Sequence, residues 1–413
     1  GDVNRNVMCT SLPEQSAIHA QAYAAATAIS AHLTPQTSAY HEIWLGKEKV
    51  AGGEEEPIYG PTYLPRKFKI GVAIPPSNDV DILTQDLGFI AIERDGQLAG
   101  FNVSVGGGMG MTHGDPATYP RLATVIGFCT PLQVLEVAEQ VVKVQRDFGD
   151  RENRKHARLK YTIDDRGVDW FKSELEERLG YALKPEAPYR FVSRGDHFGW
   201  VSDAEDRSHL TLFIPEGRVQ DTDEHGLRSA LREVAERRLG AFRVTANQNL
   251  IVSDVEAGDV AAVDALLKQY GVDKLQGVSP LREQALACVA LPTCGLAMAE
   301  AERYLPALSG AVESLLDKHG LGGEPVSLRI TGCPNGCARP YAAEIGLVGK
   351  APGQYALFLA GNADGTRLNR LALENANEET ILNELDGWFG RYAGERRDGE
   401  SFGDFVNREL QAA

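Results

Sequence analysis

The sequence predicts an α+β protein built from α/β-type units, with two pseudo-symmetric repeats on either side of a smaller half-domain. A weak internal repeat relates the two ends. Cys9-Thr-Ser-Leu-Pro13 and the Ala-rich run after it line up with Cys288-Val-Ala-Leu-Pro292 and its own Ala-rich run. Between the copies, Pro188 to about Gly271 reads as strands and helices in β-β-α-β order with a second helix, the pattern of a ferredoxin-like half-domain. Lys184-Pro-Glu-Ala-Pro188 marks the break before it. The expected boundaries are 1–186 for the first repeat, 187–272 for the half-domain and 273–413 for the second repeat.

The first repeat opens on a helix from about Ser16 to His32, whose Ala, Ile and Tyr residues recur at mixed three- and four-residue spacing, as burial on one side requires. Arg66-Lys-Phe-Lys-Ile70 then reads as a strand. With a period of two, Lys67 and Lys69 share one face, and Arg66 and Phe68 the other. Two ammonium groups about 7 Å apart repel unless an anion or carboxylate lies between them; the competing reading is a solvated edge.

Lys69-Ile-Gly-Val-Ala-Ile-Pro75-Pro-Ser-Asn78 matches Arg329-Ile-Thr-Gly-Cys-Pro334-Asn-Gly-Cys337, and Ala99 to Gly106 matches Ala356 to Gly361. The half-domain is expected to run strand 199–201, strand 209–214, helix 226–239, strands 242–245 and 247–252, and helix 257–270. A half-domain precedes the second repeat but not the first. The expectation is therefore a chain lacking an N-terminal half-domain.

A net charge of −16 argues against nucleic acid, whose phosphates need a basic face. It does not exclude a small anion held by a few convergent Arg and Lys side chains. No run approaches 18 uncharged apolar residues, so no membrane span is expected, and the N-terminus lacks signal-peptide character. A cytoplasmic location is the expectation.

Four of the six cysteines fall in two short runs, Cys288-x5-Cys294 and Cys333-x3-Cys337. Pro and Gly in both runs hold turns that free backbone N–H groups to point at sulfur. Four thiolates from two loops can hold a metal or an iron–sulfur cluster. Structural zinc, which C-x5-C spacing fits poorly, and unrelated core cysteines are the competing readings. In the first copy, Gln15, Ile74 and Asn78 stand opposite Cys294, Cys333 and Cys337, so only Cys9 survives, as a core thiol.

Cys288-x5-Cys294 with Thr331-Gly-Cys333-Pro-Asn-Gly-Cys337 resembles the cluster signature of the sirohaem-dependent nitrite and sulfite reductases. The likeness runs through Asn4-Arg-Asn-Val7, Leu64-Pro-Arg-Lys-Phe-Lys69, Gly106-Gly-Gly108, Thr245-Ala-Asn-Gln248 and Gly399-Glu-Ser-Phe-Gly-Asp-Phe405. Within the family it stands nearest the haemoprotein (beta) subunits of assimilatory, NADPH-dependent sulfite reductases.

The resemblance implies a 4Fe–4S cluster on the four cysteines, with Cys337 also on the iron of a sirohaem. It implies six-electron reduction of sulfite to sulfide and a separate flavoprotein (alpha, FAD/FMN) subunit as electron donor. It places Arg5, Lys67 and Lys69 on the oxyanion, as charge-stabilising and proton-supplying groups. The sirohaem cradle should draw on Arg66, the backbone of Gly106, Gly107 and Gly108, Arg158 and Lys160 from a basic helical stretch, Asn247, Gln248 and Asn335. Lys69 favours sulfite over nitrite by the same resemblance. A nitrite reductase and an inactive cluster-binding fragment are the alternatives.

Overall fold

The computed structural model describes residues 2–37, 43–51 and 56–412; the side chains of 5, 43, 44 and 49–51 lie outside the description. The first unit comprises β1 (Asn4–Met8), α1 (Ala17–His32), β2 (Ile43–Leu45), β3 (Glu48–Ala51), β4 (Phe68–Ala73), β5 (Leu87–Arg94), β6 (Gln97–Val105), β7 (Thr124–Cys129), α2 (Val134–Phe148), α3 (Leu159–Arg166) and α4 (Val168–Leu179). The half-domain comprises β8 (Gly199–Ser202), β9 (Arg207–Leu212), α5 (Leu227–Glu236), β10 (Ala241–Val244), β11 (Leu250–Glu256) and α6 (Val260–Gln269). The second unit comprises α7 (Pro280–Glu283), β12 (Leu286–Ala287), α8 (Leu305–Lys318), β13 (Leu328–Thr331), β14 (Ile345–Ala351), β15 (Gln354–Leu359), β16 (Arg370–Ala376), α9 (Glu378–Glu395) and α10 (Phe402–Ala412).

The two larger sheets share one topology. The first runs β1-β4-β5-β6-β7 and the second β12-β13-β14-β15-β16. In each, the first three strands are parallel and the last two antiparallel. The repeated segments occupy matching places: β4 and β13 are second in order, β6 and β15 fourth. The half-domain is a four-stranded antiparallel sheet, β10-β11-β9-β8, covered by α5 and α6 through Leu227, Val234, Val263 and Leu266.

Helix α1 begins where the sequence indicates, with the Ser16 side chain accepting from the His19 N–H at its N-cap. Ala22, Ala26 and Ile29 line its buried face against Phe68, Ile70 and Phe89. The equivalent core of the second unit joins Leu308 and Val312 of α8 to Ile330, Leu347 and Phe389.

Several local expectations shift. The basic stretch from Asn153 is not helical until Leu159. Asp150 accepts from the Glu152 and Asn153 N–H groups and Asn153 from that of Lys155, turns that compete with a helix, and Arg158 is the N-cap of α3. Asn247 and Gln248 lie not in a strand but in the turn between β10 and β11, closed by Thr245 N–H to Asn249 carbonyl (3.0 Å), with Gln248 at φ 69°. The hairpin β2–β3 was not anticipated, and part of the acidic loop at 52–57 lies outside the described residues.

A buried ion cluster joins the units. Asp81, 1% exposed, meets Arg194 Nη2 at 2.7 Å, Arg329 Nη1 at 2.6 Å and Arg339 Nε. Arg194 comes from the linker before the half-domain, Arg329 from β13 and Arg339 from the loop after the last cysteine. Their guanidinium charges hold the Asp81 carboxyl far below the carboxylate range, against the opposing effect of burial.

Candidate active site

The two cysteine loops meet at the carboxyl ends of β12 and β13. Cys288 follows β12 directly, and its N–H donates to the Ile330 carbonyl (3.2 Å). Gly332 sits at the join: its N–H donates to Cys288 Sγ at 3.3 Å, and its carbonyl accepts from the Met298 and Ala299 N–H groups (2.7 and 3.1 Å). A Cβ on Gly332 would lie 2.6 Å from both Ala290 Cβ and the Ala299 carbonyl oxygen. Only glycine lets the 288–299 loop fold back over the 331–337 loop.

The thiols are one another's electrostatic neighbours. Cys288 feels Cys337 and Cys333; Cys333 feels Cys337 and Cys294. Burial pushes the Cys288 and Cys333 thiols up, and nearby thiolates add to it. Opposing this are N–H bonds from Gly332 and Ala290 to Cys288, and backbone and side-chain bonds from Asn335 to Cys333. Thiolates that raise one another's pKa are relieved by bound cations, and four sulfurs select soft metal chemistry. Among the described residues no three His, Cys, Asp or Glu side chains converge on a point where a single metal ion would sit. Four thiols from two loops are a donor set of the kind that an iron–sulfur cage uses. Cys333 is buried, whereas Cys337 is exposed.

Across from Cys337 lies the basic face of the first unit. Phe68 and Ile70 are buried while Lys67 and Lys69 are exposed, so the two lysines share a face as the alternation predicts. The described residues offer no hydrogen-bond partner to either ammonium group. Desolvation in the cleft pulls Lys67 down, aided by Arg158 and Arg66 and opposed by Cys337 and Asp86, which places a cluster-loop thiol within its field. Lys69 is surface-accessible yet lies deep enough between the units that desolvation, then Arg158 and Lys67, bring it to about 8. Arg5 is in β1, and its side chain lies outside the described residues.

Arg66 is half-buried just ahead of β4, which begins at Phe68; burial, Arg154 and Arg158 lower it.

The glycine run does not offer free N–H groups to a ligand. Gly106 donates to the Asp86 carbonyl (2.8 Å), Gly107 to that of Gln85 (3.0 Å) and Gly108 to that of Arg121 (2.8 Å). Its glycines answer to packing: a Cβ on Gly107 would lie 2.3 Å from the Leu83 oxygen. The loop docks on the cysteine loop, with Met111 N–H donating to the Pro334 carbonyl at 2.9 Å.

Lys160 is likewise engaged by main chain. Fully buried, its Nζ donates to the Gly108 carbonyl at 3.2 Å, the Gly110 carbonyl at 2.8 Å and the Tyr119 carbonyl, three acceptors for three N–H bonds, and so braces the glycine loop. Arg158 spends Nε and Nη2 on Asp86 at 2.8–3.0 Å. The Asn247 amide donates to the Asp79 carbonyl (2.9 Å) and to Asp196 Oδ1 (3.1 Å), and that of Gln248 to the Ala287 carbonyl (2.8 Å). These bonds tie the half-domain turn to both larger units, and the Gln248 amide spends one of its two N–H groups in doing so.

Sequence reasoning missed Asp81 and Asp86. Both lie in an apolar run, Val80-Asp-Ile-Leu-Thr-Gln-Asp-Leu87, where an acid needs a buried cationic partner. That was the available signal. At the first-unit place equivalent to the cysteine loops, a cavity is lined by Cys9, Gln15, Ser77 and Asp79, with one thiol among oxygen and amide groups.

Comparison with known proteins places this geometry among relatives. A family model described as "Nitrite and sulphite reductase 4Fe-4S domain" matches residues 24–183, which include Lys67 and Lys69 but none of the four paired cysteines. A second, "Nitrite/Sulfite reductase ferredoxin-like half domain", matches residues 202–270. The "Sulfite reductase (NADPH) hemoprotein beta-component" of Myxococcus xanthus is 59% identical over 408 residues, covering 99% of this chain and 73% of the relative. The protein of the same name from Bacillus subtilis is 55% identical over 411 residues, covering 99% and 72%. Among solved structures, the Mycobacterium tuberculosis NirA protein superposes with a TM-score of 0.75 at 25% identity, over 99% of this chain and 71% of that one.

Proposed function

From a chain that belongs to the nitrite and sulfite reductase family, we propose the six-electron reduction of sulfite to sulfide as its reaction. It is an enzyme, an oxidoreductase of the sulfite reductase haemoprotein type, and its cofactors are sirohaem and a 4Fe–4S cluster. The observation that carries the reading for this chain is the meeting of two faces: Lys67 of the first unit lies within the field of Cys337 of the second.

When bound, the cluster and sirohaem supply electrons and the iron at which the sulfur oxyanion is held. The roles proposed for the chain's own residues follow from their chemistry. Cys288, Cys294, Cys333 and Cys337 would hold the cluster, and Cys337, the exposed thiol, is the one that would also serve the sirohaem. N–H groups of Gly332, Ala290 and Asn335 stabilise the sulfurs as anions.

Lys67 and Lys69 form the oxyanion face, and the family resemblance assigns Arg5 to the same role. Sulfite carries two negative charges when deprotonated, and its reduction releases its oxygens as water, so the site needs fixed positive charge and a proton source. Lys69, near 8, can hold a proton at neutral pH and still release it to a developing oxide. Arg158 contributes field through its guanidinium. A separate flavoprotein delivers the electrons, and the reaction runs in the cytoplasm; no helix among the described residues is long and apolar enough to cross a membrane.

The test is turnover by the purified chain carrying its cofactors, with a reduced viologen dye as donor. Sulfide should appear, with about six molecules of the one-electron dye oxidised per sulfite on the balance of sulfur oxidation states. Dye oxidation without sulfide would overturn the reading.

A further inference from the structure

Beneath the two lysines lies a carboxylate with no place yet in the chemistry. Asp86, at the turn into β5, is completely buried. Its Oδ2 accepts from the Lys69 backbone N–H at 2.9 Å and from Arg158 Nη2 at 2.8 Å, while Oδ1 accepts from Arg158 Nε at 3.0 Å and Nη2 at 2.9 Å. Its own carbonyl accepts from the Gly106 N–H at 2.8 Å. One residue thus ties the lysine strand, the N-cap of α3 and the glycine loop that docks on the cysteine loop.

We propose that Asp86 is a positioning residue for the oxyanion face, clamping the Lys69 strand to Arg158 and supplying the counter-charge that governs how readily Lys69 gives up its proton. This rests on the reading of Lys69 as an oxyanion-facing proton donor.

The charge balance makes the argument. Among the described residues, the charged groups that act on Lys69 are Lys67 two residues before it, Asp86 and Arg158, and Arg339 from the loop of the second unit. Desolvation, Arg158, Lys67 and Arg339 all favour the neutral amine; Asp86 alone among them favours the ammonium. Without Asp86, Lys69 would lose its proton at lower pH and be empty when a donor is wanted. Without Arg158, the ammonium would be too stable to give its proton away. The Asp86–Arg158 pair therefore holds Lys69 between the two, and the backbone bond from Lys69 to Asp86 fixes the side chain's origin.

The pair separates charge from clamp. Asp86→Asn keeps an acceptor for the Lys69 N–H and removes the charge. The double variant Asp86→Asn/Arg158→Gln removes both charges at once, leaving the local sum unchanged. The readout is the pH dependence of reductive methylation of Lys69 in the full chain, resolved by residue with mass spectrometry, which needs no turnover.

The wild-type midpoint is expected near 8. Asp86→Asn should lower it by about one pH unit, and the double variant should restore most of that shift. A midpoint unmoved in Asp86→Asn, or a double variant that stays with the single one, would overturn the proposal, since a merely structural role predicts no restoration. If Asp86→Asn does not fold, Arg158→Gln decides the matter: its Lys69 midpoint must rise, and an unchanged or lower one overturns the proposal. Failure of sulfite turnover with these midpoints intact would count against the sulfite reading and not against the role of Asp86.

Discussion

Replacing Asp81 by Asn should loosen the whole assembly. Asp81 is 1% exposed and is shared by three guanidinium groups from separate segments. The substitution leaves three positive charges facing one neutral amide. Breaking a buried pair costs about 3–5 kcal/mol, because the remaining charge stays out of water unpaired. The amide oxygen still accepts one hydrogen bond, so a loss of about 3 kcal/mol is expected.

The assay is urea unfolding followed by far-UV circular dichroism and tryptophan fluorescence. Pairing the change with Arg329→Met should recover part of the loss, since one of the orphaned charges goes with it. The carboxyl is depressed in the folded state, so its stabilisation is fully present above about pH 4, the ordinary value, and drains away only below that. A loss under about 1 kcal/mol at neutral pH, or no recovery in the pair, would refute the view that this cluster holds the units in register.

Three further outcomes follow from the geometry. Lys69→Met should cut sulfite turnover by about 100-fold or more while leaving the visible spectrum unchanged, because it removes charge and a proton from the oxyanion face and touches no cysteine; steady-state kinetics beside an absorption scan checks it. Gly107→Ala should destabilise the first unit by more than about 2 kcal/mol, since its Cβ would lie 2.3 Å from one backbone oxygen and 2.4 Å from another, as a thermal melt would register. Lys160→Met should cost stability and not chiefly substrate affinity, because it removes the ammonium from the Gly110 and Tyr119 carbonyls and leaves that of Gly108 with only the Arg121 N–H; a lowered melting temperature with sulfite KM within about threefold is the expected pair of results.

The legible parts of this protein were those with a period or a spacing. The repeat could be read because matching segments head matching strands, and Lys67 and Lys69 because a two-residue period forces them onto the side away from Phe68 and Ile70. The cysteine pairs stood out because turn residues and sulfur coincide there. What could not be read was which partner a polar group chooses. The N–H groups of Gly106 to Gly108 look available in sequence, yet each meets a carbonyl from a distant loop. Lys160 looks like a surface charge but is enclosed by three carbonyls contributed from 41 to 52 residues away. Asp81 and Asp86 draw their importance from arginines 72 to 258 positions distant, separations that no local pattern encodes.

The most direct measurement of the central claim is metal and sulfide analysis of the purified chain and of its four single Cys→Ser variants at 288, 294, 333 and 337. The wild type should carry iron together with acid-labile sulfide in equal amounts beyond the haem iron, with visible bands of a tetrapyrrole, and each variant should lose labile sulfide. Stoichiometric zinc without labile sulfide, or a full complement of sulfide surviving the loss of any one of these thiols, would contradict it.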